Sequence, residues 1–139
     1  MDLRIRNFEA EDEPAVIALW NEALPPVAPH NDPATNIRKK LETDPALFFV
    51  ATRAGAVVGT VMGGYDGHRG WIYSLAVERA SRGRGIGATL VRHVEGVLIE
   101  HGCLKVNLQV RTSNAEVIAF YSKLGYRIDE VVSLGKRLY

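Results

Sequence analysis

The chain is poor in several features that would narrow its function. It has a single cysteine, Cys103, so no disulfide can form within it, and this fits a reducing compartment. No stretch reaches the roughly 20 apolar residues that a membrane helix needs, and the N-terminus has no apolar run of the kind that marks a secretory signal. The formal net charge is only +1, whereas nucleic-acid-binding domains are normally strongly basic. We therefore expect a cytoplasmic protein without membrane or nucleic-acid partners.

Histidine is also sparse, and its positions do not indicate a metal site. The histidines are His30, His68, His93 and His101, and none has metal-ligand spacing to another or to Cys103. Structural zinc sites bring Cys and His ligands together at short, regular separations in the sequence. We therefore expect no bound metal.

The hydrophobic pattern predicts one mixed domain over residues 1–139, a length typical of a single domain. Alternating or continuous apolar runs indicate strands, and apolar residues three and four apart indicate helices. The predicted order is β-α-α-β-β-β-α-β-α-β-β. The pair Ala54-Gly55 between two apolar runs indicates a hairpin turn. Because a strand, a helix and a strand follow one another in the second half, one strand pair should be parallel within a mixed sheet.

Three of these strands are expected in the last part of the chain, at 104–110, 126–132 and 133–138. They are predicted from the alternation of apolar and polar side chains. A helix over 114–124, ended by Gly125, is expected between the first and the second of them. The C-terminal part should therefore continue the sheet.

The most informative segment is residues 75–88, in which an apolar strand leads through a loop rich in glycine and arginine into an amphipathic helix. The first turn of a helix has four amides without backbone partners, and the helix dipole adds about half a positive charge there. Glycines let an anion approach those amides, and arginines add charge beside them. The loop Arg82-Gly83-Arg84-Gly85-Ile86-Gly87 is therefore expected to bind a pyrophosphate.

Other interpretations of this loop are open. The plainest is a glycine-rich turn with two solvated arginines. Gly83, Gly85 and Ala88 also satisfy the G-x-G-x-x-[GA] spacing of dinucleotide-binding folds. That fold expects an acidic residue about 20 residues later, at the end of the next strand, but the strand predicted here ends at Arg111. A nucleotide- or NAD-binding domain would show affinity for NAD over coenzyme A, and the Walker string G-x-x-x-x-G-K-[ST] does not occur.

Two motifs in this order resemble those of the GNAT superfamily of CoA-dependent N-acetyltransferases. Residues 82–87 match the family's [RQ]-x-x-G-x-[GA] loop. Residues 114–126 match its N-x-x-A-x-x-[FL]-Y-x-K-x-G-[FY] helix, except that Val117 stands at the alanine. The segment Asn31-Asp32-Pro33, the turn at 62–70 and the ending at 133–138 are similar to those of the small bacterial YpeA-type members.

The resemblance implies a mixed α/β (α+β) fold, the GNAT fold, with a central mixed, mostly antiparallel twisted sheet of about six or seven strands flanked by four helices. It also implies acetyl-CoA as co-substrate, with the pantetheine arm between splayed fourth and fifth strands. Leu75, Ala76 and Val77 occupy the family's bulge positions in the fourth strand, and the amide of Leu75 or Val77 would polarise the thioester carbonyl. The residues expected to bind the coenzyme are Leu75, Ala76, Val77, Arg82, Gly83, Arg84, Gly85, Ile86, Gly87, Ala88 and Asn114.

The same resemblance gives roles to two residues of the predicted C-terminal helix. Asn114 would hydrogen-bond the pantetheine arm, and a role as N-cap of the helix is compatible with this. Tyr121, two turns later on the same face, would donate a proton to the departing thiolate, and a phenol of pKa about 10 is a feasible donor. Tyr121 is therefore the predicted catalytic residue, and a core tyrosine is the alternative.

The acceptor is expected to be an amine on a small molecule or a protein, and it must be neutral to attack. Many family members place a glutamate base on the fourth strand, but Tyr73 stands at that position here. Glu78, Asp66 and His68 are the alternatives for the base. The residues that could line the acceptor pocket are Trp20, His30, Asn31, Tyr65 and Tyr73.

The sequence therefore predicts an N-acetyltransferase that moves an acetyl group from acetyl-CoA to a primary amine by direct attack. That amine belongs to a protein N-terminus, a lysine or a small molecule. The alternative is a non-catalytic acyl-CoA-binding or sensor module of the same fold, which the missing glutamate leaves open, whereas Tyr121 and Asn114 favour catalysis. Dimers are frequent in the superfamily, so a homodimer is left open.

Overall fold

The computed structural model describes residues 2–139, which divide into two compact units at the boundary between Leu108 and Gln109. The first unit contains a five-stranded sheet and three helices, and the second contains one helix. The strands are β1 (Leu3–Asn7), β2 (Phe48–Arg53), β3 (Ala56–Tyr65), β4 (Gly70–Val77) and β5 (Val106–Asn107). The helices are α1 (Glu13–Ala23), α2 (Pro33–Thr43), α3 (Ile86–Glu100) and α4 (Ala115–Lys123). The expectation of one domain over residues 1–139 stays a prediction.

The sheet is mixed, and its strands lie side by side in chain order. The first three pairings are antiparallel, and the pairing of β4 with β5 is parallel. Helix α3 supplies the crossover that a parallel pair needs. Ala54 and Gly55 join β2 to β3 with φ values of 52° and 80°, the left-handed values of a type I′ hairpin turn. The predicted hairpin and the mixed class of the fold are therefore confirmed.

One face of the sheet packs against α1 and α2 through an aromatic cluster. Phe48 of β2 stacks on Phe8, with ring centroids 4.4 Å apart, and its centroid lies 6.0 Å from that of Trp20 in α1. Val16 of α1 and Ile37 of α2 are fully buried in the same cluster. Each large side chain buried in this way contributes about 1.5–3 kcal/mol. The cluster therefore holds α1, and with it Trp20, against the sheet.

The opposite face of the sheet packs against α3. Gly59 of β3 permits a close approach, because a Cβ there would lie 2.9 Å from Cδ1 of Leu90 and 3.1 Å from the carbonyl oxygen of Ala76. Phe49 of β2 meets the ring of His93 edge-on, with centroids 4.6 Å apart. The buried residues of α3 are Ile86, Leu90, Val91, Val94 and Leu98. The first turns of α3 are thereby fixed beside the end of β4.

The prediction fails in the C-terminal part of the sheet. Within the described residues 109–139 there is no strand, although the alternating pattern predicts strands at 126–132 and 133–138. The strand predicted at 104–110 is two residues long, so the sheet has five strands instead of six or seven. Alternation indicates which side chains would share a face, but a strand also needs a partner edge for its backbone. The exposed apolar residues of this segment are Ile128, Val131, Val132, Leu134 and Leu138.

Candidate active site

The predicted phosphate loop lies between β4 and α3, and two of its glycines have a left-handed backbone. Gly83 and Gly85 have φ values of 81° and 79°, which glycine adopts readily. Gly85 immediately precedes α3, and its carbonyl accepts hydrogen bonds from N (3.0 Å) and Oγ1 (2.8 Å) of Thr89. Because the Thr89 N–H makes the first bond of the helical ladder, the amides of residues 86–88 precede it and can donate to an anion. The side chain of Ile86 is buried, so this residue offers a ligand only its backbone.

The loop is open on the side where its glycines would otherwise carry side chains. A Cβ on Gly83 or Gly85 would meet no atom within 4 Å. Arg82 and Arg84 are exposed, and Nε of Arg82 donates to the carbonyl of Val77 at 3.1 Å, which ties the loop to the end of β4. Helix amides, the positive end of the dipole and two guanidinium groups therefore come together here. This combination suits a pyrophosphate.

Most of β4 has one edge without a strand partner. β4 pairs with β5 only at Gly70 and Trp71, which lie opposite Val106 and Asn107. Beyond them, residues 72–77 have β3 on one side and no further strand of the described chain on the other. The splay expected between the fourth and fifth strands stays a prediction, because β5 is only two residues long and both of its residues are paired. An extended ligand can add to such an edge as a strand would.

A bulge interrupts β4 along the same stretch. The pairing register leaves Ser74 and Leu75 opposite a single residue of β3, Val61. Ser74 has a φ of 50°, which is uncommon for a residue other than glycine. Ala76 and Val77 are paired with β3 again, so the bulge begins one residue earlier than the resemblance implies. Of the three residues expected at the bulge, only Leu75 belongs to it.

A cavity of about 1150 Å³ opens between β3, β4 and the segment that connects α1 to α2. Trp20, Asn31, Tyr65 and Tyr73 line it, as expected for an acceptor pocket, whereas His30 is not among the lining residues. All of them belong to the first unit. The lining residues that the sequence analysis missed include Asn36, Lys39, Lys40, Asp44, Trp71 and Ser74.

Lys40 of α2 closes one side of this cavity with a buried ammonium group. Its Nζ donates to the carbonyl of Gly63 and lies 3.9 Å from Oδ2 of Asp44. Only 11% of the side chain is exposed, and burial lowers the pKa of Lys40 although Asp44 acts in the opposite sense. The signal in the sequence was its place three residues after the buried Ile37, on the same helix face. With both partners in place, Lys40 shapes the cavity.

Asp66 contributes a carboxylate to the cavity next to Tyr73. Oδ1 of Asp66 accepts hydrogen bonds from the backbone N–H groups of Arg69 (2.8 Å) and His68 (2.7 Å), and these bonds lower the pKa of Asp66. A carboxylate of lowered pKa is a weak base but a good partner for an ammonium group. Burial raises the pKa of Tyr73, and the charge of Asp66 raises it further. This part of the cavity is therefore suited to hold a cation beside a neutral phenol.

The other two candidates for the base do not line the cavity. Glu78 accepts a hydrogen bond from Oγ of Ser81 at 3.0 Å, within the short helical turn that precedes the phosphate loop. His68 is exposed in the turn that Asp66 closes. Of the three, only Asp66 is placed where an acceptor could enter.

In the second unit, Asn114 caps α4 and Tyr121 is buried near the end of that helix. Oδ1 of Asn114 accepts from the N–H of Val117 at 3.2 Å, which confirms the N-cap interpretation. Tyr121 meets the rings of Phe120 and Tyr126 edge-on, with centroids 5.0 Å and 5.4 Å away. Burial raises the pKa of Tyr121 to about 12. Its phenol therefore stays protonated at physiological pH and gives up its proton less readily than an ordinary tyrosine.

Residues 2–139 contain no group of three or more His, Cys, Asp or Glu side chains that could hold a metal ion. None of the helices formed by these residues has the length and apolar character to cross a membrane. Cys103 is buried, and its Sγ donates to the carbonyl of Lys105 at 3.3 Å.

Comparison with known sequences matches nearly the whole chain. A family model described as the acetyltransferase (GNAT) family matches residues 12–126. A protein named acetyltransferase from Sodalis glossinidius is 50% identical over 137 residues, which cover 98% of this chain and 96% of the relative. One of the same description from Yersinia enterocolitica is 48% identical over 136 residues, with the same coverage.

Solved structures share the fold. Ard1 from Thermoplasma volcanium superposes with a TM-score of 0.83 at 32% identity, over 93% of this chain and 85% of that one. PaiA N-acetyltransferase from Thermoplasma acidophilum, in complex with coenzyme A, superposes with a TM-score of 0.84 over 95% of this chain and 94% of that one. At 17% identity, the second likeness concerns the fold alone. These matches agree with the fold and superfamily expected from the two motifs, and the similarity to YpeA-type members stays a prediction.

Proposed function

Because the chain belongs to the GNAT family of acetyltransferases, we propose that it transfers an acetyl group from acetyl-CoA to a primary amine by direct attack. The acceptor is a protein N-terminus, a lysine side chain or a small amine. The observation that carries the proposal is the glycine turn at the start of α3, next to a strand, β4, with a free edge. The turn suits a diphosphate and the edge suits an extended, amide-rich arm, and coenzyme A contains both.

The coenzyme would be held by these two neighbouring features of the first unit. The amides of residues 86–88 and the guanidinium groups of Arg82 and Arg84 suit the diphosphate. The edge of residues 72–77 suits the pantetheine arm, whose amides can hydrogen-bond as a strand does. An amide of the bulged strand would polarise the thioester carbonyl, and such a donor contributes roughly 3 kcal/mol to catalysis.

The acceptor would enter the cavity, because Tyr73 and Ser74 belong both to β4 and to the cavity lining. A lysine of pKa near 10.4 is only about 0.04% neutral at pH 7, whereas an α-amino group of pKa 7.7–8 is roughly 10–15% neutral. Asp66 would attract the ammonium form but would take its proton poorly, since its pKa is lowered. We therefore expect the proton to leave through water, and the rate to rise with pH until the acceptor amine is neutral.

Tyr121 and Asn114 would act on the coenzyme, as the resemblance implies. With a pKa of about 12, full proton transfer from Tyr121 to a thiolate of pKa about 8.5 would be unfavourable by roughly 5 kcal/mol. A hydrogen bond from the phenol to the leaving sulfur stabilises the thiolate without that transfer, so this is the role we propose. The cap occupies Oδ1 of Asn114, and its NH₂ group can donate to the pantetheine arm.

The experiment that tests this function measures release of free CoA thiol from acetyl-CoA in the presence of different amines. The panel contains peptides with free N-termini, peptides with internal lysines, polyamines and aminoglycosides. Thiol release that depends on an amine, together with an acetylated product, supports the proposal and names the acceptor class. Tight binding of acetyl-CoA without transfer to any amine would favour a sensor module instead. A protein with no affinity for coenzyme A would overturn both.

A further inference from the structure

Ser74 has a strained backbone conformation in the interior of a strand. Its φ of 50° lies in the left-handed region, which residues other than glycine adopt rarely and at an energetic cost. Ala54, the other such residue in the described chain, lies in a hairpin turn that requires this conformation. Ser74 lies within β4 instead, so neighbouring groups must hold it there.

Two buried side chains hold Ser74 in this conformation. Oγ1 of Thr60 on β3 lies 2.9 Å from the carbonyl oxygen of Ser74, and Nε1 of Trp20 on α1 lies 2.8 Å from the same Oγ1. An indole nitrogen can only donate, so the Thr60 hydroxyl accepts from Trp20 and directs its own proton to Ser74. Thr60 is fully buried and Trp20 nearly so. Hydrogen bonds in such surroundings are strong, because water does not compete for them.

The bond to Ser74 also sets the direction of the next amide. In a trans peptide the carbonyl oxygen and the following N–H point in opposite directions, and the described chain has no cis peptide. Because the Ser74 oxygen points to the Thr60 hydroxyl, the N–H of Leu75 points away from that hydroxyl. The pairing register gives Leu75 no partner of its own on β3, and the other edge of β4 has no strand partner beyond Trp71.

We propose that Thr60 and Trp20 are positioning residues that aim the Leu75 amide at the thioester carbonyl of the acetyl donor. This inference rests on the proposed acetyl transfer and deepens it, since it selects Leu75 over Val77 as the polarising amide. Trp20 and Ser74 also line the acceptor cavity. A bound acceptor therefore contacts the same series of hydrogen bonds that orients the amide.

The test replaces the Thr60 hydroxyl and then restores it. Thr60→Val removes the hydroxyl at nearly constant shape and should lower kcat roughly 10- to 100-fold. The Kd for coenzyme A, which has no acyl carbonyl, should stay within about twofold, because the amide acts on that carbonyl alone. Thr60→Ser should recover most of kcat, and Trp20→Phe should give an intermediate loss. Thr52→Val makes the same change at a buried threonine of β2 and controls for loss of a buried hydroxyl.

The amide NMR resonance of Leu75 gives a readout that does not depend on turnover. In the wild type it should shift more with acetyl-CoA than with coenzyme A, and Thr60→Val should abolish that difference. Wild-type kcat in Thr60→Val, an equal loss in Thr60→Ser, or an unchanged Leu75 response would overturn the proposal. If the wild type acetylates no amine, the proposed function fails, and the Leu75 resonance still decides whether Thr60 orients that amide.

Discussion

Arg6 of β1 and Asp12, which immediately precedes α1, form a two-point ion pair with Nη1–Oδ2 and Nη2–Oδ1 distances of 2.7 Å and 2.9 Å. Oδ2 of Asp12 also accepts the N–H of Glu9 at 2.8 Å. Only 8% of the Asp12 side chain is exposed, compared with 38% of the Arg6 side chain. The pair joins the first strand to the helix that carries Trp20, so it fixes one wall of the cavity.

Asp12→Asn should therefore lower the free energy of unfolding by about 1–2 kcal/mol, the low end for a charged hydrogen bond because Arg6 is partly exposed. The hydrogen bond from Arg6 lowers the pKa of Asp12. Its stabilising effect is present above the unfolded pKa of about 3.9 and is lost as the pH falls through the lower folded pKa. In urea denaturation, the difference in the free energy of unfolding between wild type and Asp12→Asn should become smaller below about pH 4. Asp2→Asn, at an exposed carboxylate, is the control; equal stabilities at neutral pH would contradict the prediction.

Gly59→Ala should weaken both the fold and the binding of acetyl-CoA. The new Cβ would lie 2.9 Å from Leu90 and 3.3 Å from Ile86, so the start of α3 must shift. We expect a loss of about 1–3 kcal/mol in stability, typical of overpacking, with a raised Kd for the coenzyme. Gly96→Ala is the matched control, because a Cβ at that position of α3 meets nothing within 4 Å and should stabilise the helix by up to about 1 kcal/mol. Calorimetric binding and thermal unfolding measure both effects, and unchanged coenzyme affinity in Gly59→Ala would refute the link to α3.

Gly85→Ala should weaken coenzyme binding through backbone strain, since φ is 79° and no neighbouring atom obstructs a side chain. The left-handed conformation costs an ordinary residue about 1–2 kcal/mol, whereas asparagine tolerates it better. Gly85→Asn should therefore retain more affinity for acetyl-CoA than Gly85→Ala in a titration. If both variants lose affinity equally, the side chain itself obstructs the ligand and the strain argument is wrong.

Tyr121→Phe should lower kcat by roughly 10- to 100-fold and leave the Kd for acetyl-CoA nearly unchanged, because the lost hydrogen bond forms with the leaving sulfur. Tyr126→Phe makes the same change at the neighbouring ring, 5.4 Å away, and should keep wild-type turnover. Steady-state kinetics and equilibrium binding separate the two quantities. Wild-type turnover in Tyr121→Phe would show that Tyr121 has only a packing role in the core.

The raised pKa of Tyr121 also predicts that wild type and Tyr121→Phe differ in stability at alkaline pH. The folded pKa of about 12 exceeds the ordinary value of 10.0, so the unfolded chain releases this proton first as the pH rises. The stability contributed by the neutral phenol is present below about pH 10 and is lost as the pH approaches 12, by up to about 3 kcal/mol. Wild type should therefore lose more stability than Tyr121→Phe across this range in urea denaturation. Parallel pH profiles of the two proteins would contradict the burial of this group.

The elements that could be predicted are those whose signals are local. Ala54-Gly55 requires two consecutive left-handed residues, and short hairpins are built on such turns. The glycines at 83 and 85 are followed by apolar residues at helical spacing. A segment of about a dozen residues therefore suffices to predict the loop and the start of α3 at Ile86. The strands predicted at 126–132 and 133–138 were wrong because their signal is not local. Strand pairing depends on a distant sheet edge, and the alternation of apolar and polar residues does not report that edge. The roles of Asn114 and Tyr121 toward the coenzyme stay predictions.

Thr60 shows why part of the candidate site was missed. It lies in an apolar run of β3, where a β-branched threonine looks like any other strand residue. Its proposed role depends on hydrogen bonds to Trp20, 40 residues earlier, and to Ser74, 14 residues later. Contacts of such separation leave no pattern in the local sequence. Lys40, in contrast, does have a local signal. It lies three residues after Ile37, and this spacing places it on the buried face of α2.

The edge of β4 without a strand partner, at residues 72–77, has a consequence for the behaviour of the protein in solution. Unpaired strand edges recruit extended segments of other chains, and this is a common start of aggregation. The apolar residues Leu75 and Val77, which are only partly buried, lie in this stretch of β4 and add to the hazard. If the donor binds as proposed, its arm covers the same backbone groups. The metabolic supply of acetyl-CoA would then govern how much of the protein remains dispersed, as well as how fast it works.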